Sequence, residues 1–275
     1  MNPVANRTQS QSSTWPRIVV LLAGAAAIWI GLGAGMTALF GTDYTFAAHA
    51  IRAPLTFALV AGLLLLILGW ERASPEKYGL IPNRRTALFL ALGAGAYLVP
   101  FVVTAVIVSS LGLASVRITG SLGEAILQLL AVVVLVLLYE AIPEELIFRG
   151  YIFAAVSRSL PKWATVLIQA TLFCAFGFAI GAARTPDRLL LFFIFSLSLG
   201  VVRAASGSVF ATIGFHAAFQ ITTQPLLGPQ WTAFALDDPE RWFSDLAFGL
   251  GPLLFGPLLV VLLVRARRRR AVTAA

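Results

Sequence analysis

Apolar residues in this chain come in long unbroken runs rather than in the alternation of a barrel strand. The runs are roughly 18 to 25 residues long, the length a helix needs to cross about 30 Å of hydrocarbon. Eight such runs can be marked, near Ile18–Phe40, Ala53–Trp70, Thr86–Gly112, Leu122–Ile142, Trp163–Ala183, Leu189–Ala204, Ser208–Leu227 and Leu246–Val264. The fourth is expected to continue as one helix to about Ser159, bent near Pro143. The fold class expected is therefore all-α, a polytopic membrane helix bundle of about eight transmembrane helices. The first run is too long for a signal peptide and is read as a retained helix.

Composition agrees: 59% of the 275 residues are hydrophobic, 12% are charged, and mean hydropathy is +0.89. A soluble domain of this length needs more charge for its surface. Neither an internal repeat nor a second domain is evident. Four segments are expected: 1–16 as a disordered cytoplasmic N-terminus, 17–121 as three N-terminal transmembrane helices, 122–227 as a core, and 228–275 as an acidic extracytoplasmic loop, a last transmembrane helix and a basic tail.

Eight crossings put both termini on one side. Fifteen of the twenty basic residues fall on that side and five on the other. The positive-inside rule then makes it the cytoplasm, and the expected location is the cell membrane, multi-pass. The opposite loop Gly228–Asp245 is acidic. The net charge of +8 is concentrated in the tail Arg265 to Arg270, which reads as an anchor for anionic lipid and not as a nucleic-acid surface.

Ionisable groups inside a membrane span are costly, and they mark function by default. One segment stands out: Tyr139-Glu140-Ala141-Ile142-Pro143-Glu144-Glu145-Leu146-Ile147-Phe148-Arg149-Gly150. On a helix Glu140 and Glu144 share a face, and so do Glu145 and Arg149. Pairing Glu145 with Arg149 neutralises both and leaves Glu144 to face a cavity. Glu140 can hydrogen-bond a neighbouring helix. The next unusual residue is His216 in the seventh run, with Gln220 four positions on. His49 reads as a surface residue. A carboxylate in a low-dielectric pocket can act as general base toward water, and a histidine can bind metal, share the proton or stabilise an oxyanion.

At these residues the chain resembles the membrane-embedded family of CAAX prenyl endopeptidases and bacteriocin-processing enzymes, intramembrane metalloproteases known as the CPBP family. The family's first motif, Glu-Glu-x-x-x-Arg, reads here Glu144-Glu145-Leu146-Ile147-Phe148-Arg149, followed by Gly150 and Tyr151. Its third motif, a His in a helix opened by Gly-Ser, reads Gly207-Ser208 through His216 to Gln220. The resemblance covers about Leu122 to Leu227. It implies helices around a hydrophilic chamber open to the cytoplasm. Glu144 would activate water for peptide hydrolysis, Glu145 and Arg149 would support it, and His216 would stabilise the oxyanion or join Glu144 in holding one divalent metal such as zinc.

Two positions depart from the family pattern. The second motif, Phe-x-x-x-His, reads Phe173-Cys174-Ala175-Phe176-Gly177, so Gly177 stands in the histidine slot. Gln220 stands where the third motif has Asn. A catalytic zinc usually has three protein ligands; Glu144 and His216 supply two, and Cys174 is the one further candidate. Function is therefore expected to be an intramembrane endopeptidase acting on a membrane-associated peptide or protein. The alternatives are a catalytically degenerate relative that binds membrane peptides or partner proteins, and a small transporter with Glu140, Glu144 and Arg149 on its path.

Overall fold

The computed structural model describes residues 14–43 and 45–273. Residues 1–13, most of the terminal stretch expected to be disordered, lie outside them. Among the described residues eight long helices follow one another. They are α1 (Thr14–Phe40), α2 (Phe46–Glu71), α3 (Thr86–Ser110), α4 (Leu122–Val156), α5 (Lys162–Ala179), α6 (Pro186–Ser206), α7 (Val209–Leu227) and α8 (Gly251–Thr273). A π-helical stretch, Phe243–Leu250, leads into α8. The chain is an all-α, multi-pass membrane protein: seven of its helices are long and apolar enough to cross a membrane. The eighth, α7, has the length, but His216, Gln220 and Gln224 lower its hydropathy.

Helices α1 and α2 start earlier than the apolar runs suggest. Thr14 to Pro16 already belong to α1. The Thr45 hydroxyl caps α2 by accepting from the Ala48 N–H at 3.2 Å; His49 and Arg52 are therefore helical and not in a loop, and His49 is half-buried. Ser121 and Glu124 form a reciprocal capping box at the start of α4, which satisfies two of its free N–H groups. Between α6 and α7, Gly207 takes φ +74° and Ser208 then caps α7 through its hydroxyl. The Gly-Ser opening of the third motif is thus a left-handed turn followed by a cap.

The expected continuation of the fourth run is present, as α4 is one 35-residue helix. It is not uniformly α. Residues Leu137–Ala141 and Leu146–Ile152 are π-helical, with one α turn, Ile142–Glu145, between them. Pro143 sits in that turn and has no N–H to donate, and π turns commonly accompany functional residues.

The chain divides into two compact units, 1–82 with 142–196, and 83–141 with 197–275. In the first, α1 packs along α2, and α5 meets both α1 and the second half of α4. In the second, α3 lies between α7 and α8. The α3–α7 approach is close: a Cβ on Gly93 would fall 1.7 Å from the Ala211 carbonyl oxygen, and one on Gly214 would fall 2.1 Å from that of Leu90. Small residues allow such backbone proximity in membrane helices. An antiparallel pair of strands that the sequence reading did not anticipate, β1 (Ser115–Ile118) and β2 (Phe234–Asp237), joins the segment after α3 to the segment after α7.

Candidate functional site

The first motif occupies the α turn and second π stretch of α4. Glu144, Glu145 and Arg149 are all buried, the last two completely. The pairing expected from their spacing is present: Arg149 Nη1 donates to Glu145 Oε1 at 2.9 Å. Arg149 does more than close that pair. Its Nη2 donates to Ser196 Oγ at 2.7 Å, and the Ser196 hydroxyl in turn donates to Gln169 Oε1 at 3.3 Å. Gln169 Nε2 donates to the Ser196 carbonyl at 2.9 Å. The guanidinium also lies over the Phe173 ring, 4.7 Å from its centroid. The Phe of the second motif therefore supports the Arg of the first by a desolvated cation–π contact.

A buried charge is tolerable only when it is paired and its remaining hydrogen-bonding groups are met. Glu145 and Ser196 take up the two terminal nitrogens of Arg149, Gln169 steadies Ser196, and Phe173 covers the guanidinium face. Glu144, one residue before Glu145, lies within electrostatic reach of the same guanidinium.

The other candidate residues divide between two settings. Glu140, in the first π stretch, accepts from Gln224 Nε2 on α7 at 3.2 Å, so it has the neighbouring-helix partner expected of it. His216 is 1% exposed on α7, and Gln220 is half-buried one turn later. Gly177 is packed in α5. A Cβ there would come 2.6 Å from both Cδ1 and Cε1 of Phe192 on α6. A histidine at Gly177 would have to displace the Phe192 ring, which takes up the space such a side chain would enter.

Among the described residues no group of three or more His, Cys, Asp or Glu could hold a metal ion. Cys174, the further candidate, donates its thiol to the Leu189 carbonyl at 3.4 Å.

Sequence reasoning missed Ser196, Gln169 and Gln224. For the two glutamines a signal was available, since an amide inside an apolar run is as anomalous as a lone His. Serine is too common in such runs to give one. It also missed a cluster around Glu71, at the end of α2. That carboxylate accepts from Arg17 at 3.1 Å, from the Tyr151 hydroxyl at 2.7 Å and from the Tyr78 hydroxyl. Tyr78 and Tyr151 stack at 4.9 Å, and Arg158 lies over Tyr78 at 4.6 Å.

The comparisons with known proteins bear on the same stretch. The family model described as Type II CAAX prenyl endopeptidase Rce1-like matches residues 126–222. That span contains all three motif positions, and the match supports the family resemblance read from them. No curated protein and no solved structure matches the chain.

Proposed function

Because residues 126–222 carry the Rce1-like family match, we propose that this chain is an intramembrane endopeptidase of the CAAX-protease type in which Glu144 activates the attacking water. The observation that supports this most is the buried support around Glu144. Its neighbour Glu145 is committed to Arg149, and Arg149 is held by Ser196 and Phe173. Glu144 would take a proton from water as the oxygen adds to the peptide carbonyl carbon, and return it to the amine that leaves. The oxyanion role of His216 rests on the family pattern alone. The exposed arginines of the α8 tail, among them Arg265 and Arg267, would hold the chain against anionic lipid on the cytoplasmic face of the cell membrane.

One observation favours a second reading. With Gly177 in the histidine slot and Phe192 packed over it, the chain would bind membrane peptides without cutting them. Purified wild type and Glu144→Gln, offered a peptide library in detergent and read by mass spectrometry, separate the two. Loss of a general base predicts cleavage by wild type that falls about 100-fold or more in the variant. Equal cleavage by both would remove Glu144 from the mechanism. Peptide capture by both with cleavage by neither would establish the second reading.

A further inference from the structure

Helix α7 is the long helix that falls short of span-like apolarity, and the reason is one face. Thr212, His216, Gln220 and Gln224 follow each other at four-residue steps, so each lies above the last on one side of the helix. Thr212 is satisfied locally, donating to the Val209 carbonyl at 2.7 Å. The two glutamines are not fully satisfied. Gln224 Nε2 donates to Glu140, while its Oε1 is buried without a hydrogen-bond partner. Gln220, half-buried, has no hydrogen bond within the described residues.

In a hydrocarbon environment an unmet amide is expensive. Two of them, one turn apart on one helix, need a polar occupant. Residues four apart on a helix are separated by about 6 Å along its axis. An extended peptide presents an N–H and a C=O toward one side at every second residue, a repeat of about 6.6 Å. A carboxamide offers both donor and acceptor, as a peptide unit does. The two spacings agree within the freedom of a glutamine side chain.

We propose that Gln220 and Gln224 form a rail that binds the backbone of an extended peptide segment, with Glu140 fixing the orientation of the Gln224 amide. The recognition is of main chain, and it is therefore indifferent to peptide sequence. It deepens the endopeptidase reading by naming how its substrate is held, and it rests on that reading only for the choice of a peptide as ligand; it does not require hydrolysis.

The test uses the full-length chain in detergent and a fluorescent nine-residue Val/Thr-rich peptide, which favours an extended form. A second copy of the peptide is N-methylated at alternate backbone nitrogens. Binding is read by anisotropy for wild type, Gln220→Leu, Gln224→Leu and Glu144→Gln. Loss of one amide–peptide hydrogen bond should weaken binding about fivefold. Each Leu variant should show that loss toward the plain peptide, and wild type should show at least as much toward the N-methylated one. Glu144→Gln should bind like wild type even if cleavage disappears, which separates failure of the chemistry from failure of the rail. Unchanged affinity in both Leu variants, equal affinity for the two peptides, or no peptide binding by wild type would each overturn the proposal. Thermal melts of the two Leu variants guard against misfolding: if one fails to fold, the other and the N-methylated peptide still decide.

Discussion

Arg149 shows how one residue in this chain gathers a neighbourhood around itself. Its two terminal nitrogens point at different partners, Glu145 at 2.9 Å and Ser196 at 2.7 Å. A planar guanidinium can serve both at once, whereas an ammonium is a single point of charge. We therefore expect Arg149→Lys to behave more like a loss than a conservative change. Arg149→Ala should cost about 3–5 kcal/mol, because it strands the Glu145 carboxylate in the interior. Ser196→Ala should cost less, about 1–3 kcal/mol, for one unmet donor. Thermal unfolding in detergent measures all three, and wild-type stability in Arg149→Ala would show that the ion pair holds nothing together. The Glu145–Arg149 contact could be read from i,i+4 spacing. Ser196 could not, because it is brought there by α6 packing on the motif helix, 47 residues away. In the same way Gly177 was legible as a departure from the motif, whereas Phe192, which closes the space over it, was not.

At the scale of elements, the Glu71 cluster ties four parts of the first unit together. Arg17 comes from α1, Glu71 ends α2, Tyr78 lies in the short 3-10 turn Pro75–Tyr78, and Tyr151 follows the first motif on α4. The second apolar run stops at Trp70, one residue short of Glu71. Partners up to 80 residues apart leave no periodic trace in a sequence, so the anchor had to be seen in three dimensions. Removing either phenol or carboxylate from such a network should show as coupling. A double-mutant cycle of Glu71→Gln with Tyr151→Phe, read by thermal unfolding, should give an interaction of about 0.5–3 kcal/mol, and strict additivity would count against a shared network. The cluster also has a pH signature. Burial and the hydrogen bond to Glu71 raise the Tyr78 hydroxyl to about 12, with Arg158 acting the other way. A phenol whose value is raised on folding contributes its full stabilisation below its unfolded value, about 10. That contribution is lost as pH rises through the folded value, so the wild-type melting point should fall more steeply than that of Tyr78→Phe between those limits.

For the whole molecule the question is whether α7 crosses the membrane, since seven crossings would put the termini on opposite sides and eight on the same side. Its polar face argues against lipid exposure, but the strands argue for a crossing. β1 begins five residues after the end of α3, and β2 begins seven residues after the end of α7. The two strands pair directly, Ser115 with Asp237 through Ile118 with Phe234. The C-terminal ends of α3 and α7 must then lie on the same side of the second unit. Counting α4, α5 and α6 as one crossing each, α3 and α7 end on the same side only if α7 also crosses. Leaving α7 in the interface would put β2 on the side opposite β1, where no pairing is possible. Asp238 fixes the continuation from that side: it accepts from the N–H groups of Phe243 at 3.0 Å and Ser244 at 2.8 Å, and so caps the stretch that leads into α8. We therefore expect eight crossings, with the Pro239–Arg241 turn outside and both termini in the cytoplasm, as the fifteen-to-five split of basic residues requires. Alkaline phosphatase inserted at Glu240 should be active, and a fluorescent protein fused after Ala275 should fluoresce. A dark C-terminal fusion beside an active insertion would mean that α8 does not cross, and it would overturn the cytoplasmic placement of the tail. An inactive insertion beside a dark fusion would remove α7 from the count of spans, and it would break the link between strand pairing and topology.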